Sequence, residues 1–444
     1  MKTRIVYGFY CLLVFSSCSI SKQIAKVAKK ELLSDSALLP AHLGICVFEP
    51  ATGKYLYKQD AEKYFVPASN TKIFSLYAGM KYLGDSLPGL KYYETADSLY
   101  LQPTGDPTLL HPDFKEQRIV EFLKSKNKIV AINTSNWKED ALGFGWAWDD
   151  YESYYMAERS PLPVYGNVIK WIQATSDSIR HINNISKNKI YSQPQVNWGT
   201  TIFMDSINKS FYVKRERSSN EFSIHKGGEK YRETDVPYVT NGILTALELL
   251  KDTVKQIAIC FQPQAENHQL QTIFSVPSDT LFKLMMHRSD NFFAEQTLLM
   301  AANEKLGIMK EEAIINYLLK NELKEIPQKP KWVDGSGLSR YNLFTPQSFV
   351  WMLNKMKAEF GLARMENILP TGGTGTLRSL FLKDKGFIYA KTGTLSNHTS
   401  LSGYIITKKN RLLIFSLQAN HFLTGATPVR IAFERFITNL RNKY

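Results

Sequence analysis

The apolar positions change period along the chain, and those changes mark out its elements. Residues 42–50, with the apolar run Gly44-Ile45-Cys46-Val47-Phe48 at their centre, read as a buried strand. Ala51-Thr52-Gly53 supplies turn residues, and a second strand-like stretch follows at 54–57, which predicts a β-hairpin. Pro67-Ala68-Ser69 then opens a predicted helix, in which Ile73, Phe74, Leu76, Tyr77, Met80 and Leu83 keep a helical period. From 88 to 271 short β-like runs alternate with Gly, Asn, Ser and Pro turns, with a Trp-rich stretch around Trp146 and Trp148. Helical patterns return at 278–288 and 294–306. Strands are predicted at 387–390, 401–407 and 411–418, and an amphipathic helix over 428–440 closes the pattern. Strands and helices at both ends of a β-rich middle imply a single α/β core interrupted in sequence.

Length supports that division, since 444 residues exceed one ordinary domain. The first residues add a compartment. Met1-Lys2-Thr3-Arg4 is a short basic start, 5–15 is almost entirely apolar, and Ser16-Ser17-Cys18 follows, which is the order of a secretory signal. The apolar run is too short to span a bilayer comfortably. Cys18 directly after two serines resembles a lipoprotein processing site, although Phe15 stands where Leu is usual. The expected division is therefore a signal peptide at 1–17, a first part of the core at 18–87, an inserted, mostly β region at 88–271, and a second part of the core at 272–444. Cys11 would leave with the signal. Cys46 and Cys260 sit in apolar runs and are expected to be buried free thiols, not a disulfide framework.

Composition excludes some chemistry. The net charge of +14 fits attraction to an anionic polymer, but no nucleic-acid motif accompanies the scattered Lys and Arg, so no nucleic-acid partner is expected. The eight histidines form no His-x-x-x-His pair and none lies near a Cys-x-x-Cys, so neither a metal nor a cofactor is expected.

Three short motifs carry the candidate chemistry. Ser69-Asn70-Thr71-Lys72 opens the first helix, where positions i and i+3 share a face and the Lys72 amine can reach the Ser69 hydroxyl. A hydroxyl at a helix start also feels the positive end of the dipole. Ser289-Asp290-Asn291 lies between two helical stretches. Lys391-Thr392-Gly393-Thr394 ends or continues a strand, and Gly393 would let a substrate backbone approach and add to the sheet edge. Each motif alone is common by chance, as a helix cap or a polar turn. Their order and setting together form the signature of serine β-lactamases and penicillin-binding proteins.

With its flanks, the chain resembles the D-Ala-D-Ala carboxypeptidase/endopeptidase family of low-molecular-mass class C penicillin-binding proteins. The resemblance is carried by residues 67–74, by Gly105-Asp106-Pro107-Thr108, by residues 288–295, by Asp334-Gly335-Ser336-Gly337-Leu338-Ser339-Arg340 and by Gly375-Thr376-Leu377-Arg378. Thr371-Gly372-Gly373-Thr374 departs from the family pattern and lacks the Gly-Lys-Ser/Thr ending of a phosphate loop. The long interval between Lys72 and Asn291 matches that family's inserted domains and not a class A β-lactamase. The resemblance implies a β-lactamase/transpeptidase-like α+β fold, with an antiparallel sheet flanked by helices. It implies Ser69 as nucleophile, Lys72 as base with Lys391 as the second cation that helps keep it neutral, and Ser289 as proton relay. Asn291 would hold Lys72 and a substrate amide, and Lys391, Thr392 and Thr394 would bind a terminal carboxylate. The backbone N–H groups of Ser69 and Thr394 would form the oxyanion hole. Peptidoglycan stem peptides would be the substrate, β-lactams the acylating inhibitors, and the periplasm or cell envelope the site of action, with a lipid at Cys18 as membrane anchor. A serine β-lactamase or esterase on the same core, or a non-catalytic wall-binding lipoprotein, is the alternative.

Overall fold

The computed structural model describes residues 20–444 except 127, 175–188, 204–209, 255–258 and 262–268. The signal segment and Cys18 lie outside the described residues. In chain order the first elements are helix α1 (20–33), strands β1 (His42–Glu49) and β2 (Lys54–Gln59), a 3₁₀ turn at Ala68–Thr71 and helix α2 (Lys72–Tyr82). Next come β3 (Ser86–Glu94), β4 (Ser98–Pro103), α3 (Arg118–Ser125), β5 (Ile129–Ile132), β6 (Val168–Ala174), β7 (Lys189–Gln193), β8 (Thr200–Phe203), β9 (Tyr212–Arg215), β10 (Phe222–His225), β11 (Tyr231–Pro237), α4 (Leu244–Thr253), β12 (Ile259–Phe261) and β13 (Gln271–Pro277). The chain ends with α5 (Ser278–Arg288), α6 (Asn291–Leu306), α7 (Glu311–Lys320), α8 (Pro346–Phe360), α9 (Leu362–Ile368), β14 (Ile388–Leu395), β15 (His398–Ile406), β16 (Leu412–Asn420) and α10 (Ala426–Lys443). Two compact units result. One takes the chain up to Tyr77 with Phe282–Asp290 and Ile315–Tyr444. The other takes Ala78–Leu281 and Asn291–Ile314.

The first unit is built on an antiparallel sheet in the order β14-β15-β16-β1-β2, in register from His42 opposite Asn420 to Phe48 opposite Ile414 at its centre. The expected antiparallel sheet flanked by helices is therefore present. All but the first residue of β16 is buried, so both faces of the sheet are covered. On one face Leu413, Phe415, Leu417 and Ala419 pack with Leu43, Ile45 and Val47 against α1 and the Val429, Phe433, Phe436 and Leu440 stripe of α10. The other face carries Ser402, Tyr404, Ser416, Gln418 and Asn420, all buried, with Tyr404 donating to the Leu353 carbonyl of α8 at 2.7 Å. Cys46 is a free, buried thiol in β1, and burial pushes its pKa up. Cys260 lies in β12.

The second unit holds the short strands, in a mixed sheet β12-β5-β4-β3-β13 and two three-stranded sheets, β11-β6-β7 and β8-β10-β9. The helices α3 and α4 cover its core, which gathers Leu99, Leu101, Ile119, Leu123, Trp171 and Leu250 among others. Arg159 is 2 % exposed here and faces three carboxylates, Glu311 at 2.7 Å, Glu295 at 3.4 Å and Glu139 at 3.5 Å. Each of these is itself nearly buried, so the guanidinium is what allows three negative charges to sit together away from water. Removing it leaves uncompensated buried charge. We expect Arg159→Ala to destabilise this unit by about 3–5 kcal/mol, measured by denaturant unfolding followed through tryptophan fluorescence.

Candidate active site

Strand β14 lies at the end of the sheet, and its side chains divide by alternation. Ile388 and Ala390 join the core against α10, so Lys391 and Gly393 face the opposite, polar side. There the register places Lys391 opposite Ser402 and Gly393 opposite Ser400. Ser400 Oγ donates to the Pro67 carbonyl at 2.7 Å, and Asn70 Nδ2 donates to Ser402 Oγ at 2.7 Å, which in turn donates to Ser416 Oγ at 2.8 Å. Asn420 Nδ2 reaches the Val66 carbonyl at 3.1 Å. Four buried polar side chains of the sheet thus pin the segment that carries Ser69. Gly393 makes this approach possible: a Cβ there would lie 2.2 Å from Ser400 Oγ and 2.6 Å from the Pro67 carbonyl oxygen.

Ser69 sits in the 3₁₀ turn and Lys72 begins α2, so the expected i, i+3 pair is in contact, with 2.8 Å between Lys72 Nζ and Ser69 Oγ. Lys72 is completely buried. Its amine also donates to the Ser336 carbonyl at 2.7 Å, and Ser75, one turn on, donates to the Gly335 carbonyl at 2.5 Å. The loop that supplies these carbonyls is tied by Asp334, whose carboxylate accepts from the Gly337 and Ser339 amides at 2.7 and 2.6 Å and from Asn342 Nδ2 at 2.7 Å. Gly337 has φ +83°, and a Cβ on it would lie 2.0 Å from the Ala68 carbonyl oxygen, so only glycine lets this loop close on the nucleophile segment.

Ser289 follows α5 with a left-handed backbone, φ 61°. Its hydroxyl accepts from Lys391 Nζ at 2.8 Å, and the same amine donates to the Thr392 carbonyl at 2.6 Å. Lys391 is fully buried. Burial first, then the positive charges of Lys72 and Arg430, hold its pKa well below the ordinary lysine value. Ser69, Lys72, Ser289 and Lys391 therefore belong to one cluster of two hydroxyls and two amines. Thr392 is buried at the strand edge and Thr394 is exposed. Asn291 opens α6 in the second unit, where its amide donates to the Tyr155 carbonyl at 2.9 Å.

The main chain of β14 is poised as well. Ala390 N–H points away from β15 and donates to the Pro370 carbonyl at 3.0 Å. Alternation along the regular register puts the Thr392 and Thr394 amides on that same outer side, where among the described residues no further strand follows. An extended peptide can pair there. The main-chain carbonyls of Gly335 and Ser336 and the Arg430 side chain belong to this site and were not expected. Their only sequence signal was the Asp334–Arg340 loop text, and for Arg430 there was none.

Comparison with known proteins bears on what this cluster is for. A profile described as the D-Ala-D-Ala carboxypeptidase 3 (S13) family matches residues 23–439. Among curated proteins, the D-alanyl-D-alanine carboxypeptidase DacB of Haemophilus influenzae is 24% identical over 435 residues, covering 86% of this chain and 87% of its own. The D-alanyl-D-alanine carboxypeptidase of Actinomadura sp. strain R39 is 25% identical over 450 residues, covering 90% of this chain and 81% of its own. The crystal structure of penicillin binding protein 4 from H. influenzae superposes with a TM-score of 0.74 at 20% identity, over 95% of this chain and 99% of that one, and its complex with a novel β-lactam with a TM-score of 0.68.

The Lys391 environment carries a stability signature with a definite sign. A lysine whose folded pKa lies below its unfolded value binds fewer protons when folded, so it weakens the fold at low pH and ceases to do so as pH rises toward about 10.4. We expect Lys391→Met to raise the thermal midpoint relative to the parent at neutral pH. That advantage should shrink steadily as pH is raised. The pH trend, read from unfolding curves in a buffer series, isolates the amine from the two hydrogen bonds lost with it.

Proposed function

The chain belongs to the D-Ala-D-Ala carboxypeptidase 3 (S13) family of serine peptidases, and from that premise we propose that Ser69 is its nucleophile toward the D-Ala-D-Ala termini of peptidoglycan stem peptides. The observation that carries this is the 2.8 Å contact between the Ser69 hydroxyl and the buried Lys72 amine. Lys72 takes the Ser69 proton as Oγ attacks the carbonyl of the penultimate D-Ala. Lys391 is the neighbouring buried cation that helps keep this base available. The oxyanion is met by the Ser69 and Thr394 main-chain N–H groups. The proton on Lys72 then passes by way of Ser289 to the leaving nitrogen, the C–N bond breaks, D-alanine departs, and an ester on Ser69 remains. Water, activated by the same amine, hydrolyses the ester and restores the hydroxyl.

The substrate lies extended along the outer edge of β14. The Asn291 side chain holds a substrate amide, and Lys391, Thr392 and Thr394 receive the terminal carboxylate. A β-lactam presents a strained amide and a carboxylate to the same groups and acylates Ser69, as the solved β-lactam complex of the Haemophilus relative supports. The work is cell-wall chemistry, and no helix of the described residues is long and apolar enough to cross a membrane. Export by the segment 1–17, lipid attachment at Cys18 and insertion of 88–271 into a core formed by 18–87 and 272–444 complete the proposal.

Ser69→Ala tests the central step. Intact-mass measurement should find a single adduct of benzylpenicillin on the parent, mapping to the peptide that contains Ser69, and none on the variant. Release of D-alanine from a pentapeptide should fall by about 10⁴-fold or more. Release at the parental rate would remove Ser69 from the mechanism.

A further inference from the structure

Arg430 stands on the fifth residue of α10, half-buried, and donates from a guanidinium nitrogen to Thr394 Oγ1 at 2.5 Å. Among the described residues it forms no ion pair. Its near neighbours in the helix behave differently: Arg435 pairs with Glu31 and Asp35, and Arg441 with Asp384. Arg430 is also close enough to act electrostatically on Lys391. One end of β14 therefore holds, beside the Thr394 hydroxyl, a guanidinium that among the described residues has no acidic partner.

Hydrogen-bond chemistry sharpens this. A guanidinium has five donors and no acceptor, so against Arg430 the Thr394 oxygen must accept. The Thr394 proton is then free to be donated elsewhere, and Thr394 is exposed at the strand edge. Arg430 has further N–H donors in a planar fork suited to a carboxylate.

We propose that Arg430 is a specificity-determining residue that fixes the Thr394 hydroxyl as a donor and supplies the cation for the free α-carboxylate of the residue released from the substrate. The selected class is any peptide whose residue after the scissile bond ends in a free carboxylate, whether that residue is a terminal D-alanine or the acceptor residue of a cross-link. Peptides amidated at that carboxyl are disfavoured. The proposal rests on the assignment of β14 as the substrate edge.

The test compares parent, Arg430→Gln and Arg430→Lys on a D-Ala-D-Ala peptide with a free carboxylate and on the same peptide amidated. For the free acid, KM should rise about tenfold or more in Arg430→Gln with a smaller change in kcat, and Arg430→Lys should recover part of the loss. The preference for acid over amide should collapse in Arg430→Gln. An unchanged KM for the free acid in a folded Arg430→Gln variant overturns the proposal, including the case in which the parent does not turn over the amide at all. Failure of the underlying site assignment shows separately, as a parent enzyme that gains no penicillin adduct on Ser69.

Discussion

Burying two lysine amines within electrostatic reach of each other is the constraint on which the site depends. An amine in the interior is expensive to charge, and a second positive centre makes it more so. The fold accepts this at Lys72 and Lys391, both wholly removed from solvent. Neutral acceptors are among their partners: the Ser69 and Ser289 hydroxyls and the Ser336 and Thr392 carbonyls. A carboxylate partner at Lys391 would have stabilised the ammonium and removed its use as a tuned neighbour. The Arg159 cluster of the other unit shows the contrasting arrangement, a buried cation surrounded by acids, which fits a structural role.

The sheet of the first unit reconciles a folding core with this chemistry by assigning one face to each. Its α10 side is hydrocarbon. Its other side is a run of Ser, Gln and Asn side chains that hydrogen-bond to one another and to the backbone ahead of Ser69. Hydroxyls there act as positioning groups, because a hydrogen-bonded ladder in a dry interior permits few alternative geometries. The nucleophile is thereby held by strands far from it in sequence.

How much of this was legible follows from distance along the chain. The Ser69–Lys72 pair was readable because three residues of helix fix its geometry locally. The motifs around Ser289 and Lys391 were readable through their order. The apolar pattern of β14 stops at Ala390 and left open whether Lys-Thr-Gly-Thr ends or continues the strand; it continues to Leu395, because pairing with β15 is a main-chain property that those residues do not interrupt. The helices α3 and α4 were hidden in a region read as mostly β, where their ten residues or fewer barely exceed two turns. The Ser336 carbonyl carries no side-chain signal at all. Arg430 looked like any polar position on an amphipathic helix, since nothing in its neighbourhood of sequence tells that Thr394 lies beside it.

The strand order β14-β15-β16-β1-β2 also governs when the protein can become itself. The first hairpin, β1 and β2, emerges early, but β1 finds its other neighbour only in β16, with His42 opposite Asn420. Until nearly the whole polypeptide is available, β1 presents an unpaired apolar edge, the kind of surface that invites association with other chains. Contacts this far apart in sequence also close slowly. Assembly of the nucleophile segment is thus deferred to the last stages of maturation, so that an incomplete chain carries Ser69 without the strands that would make it reactive.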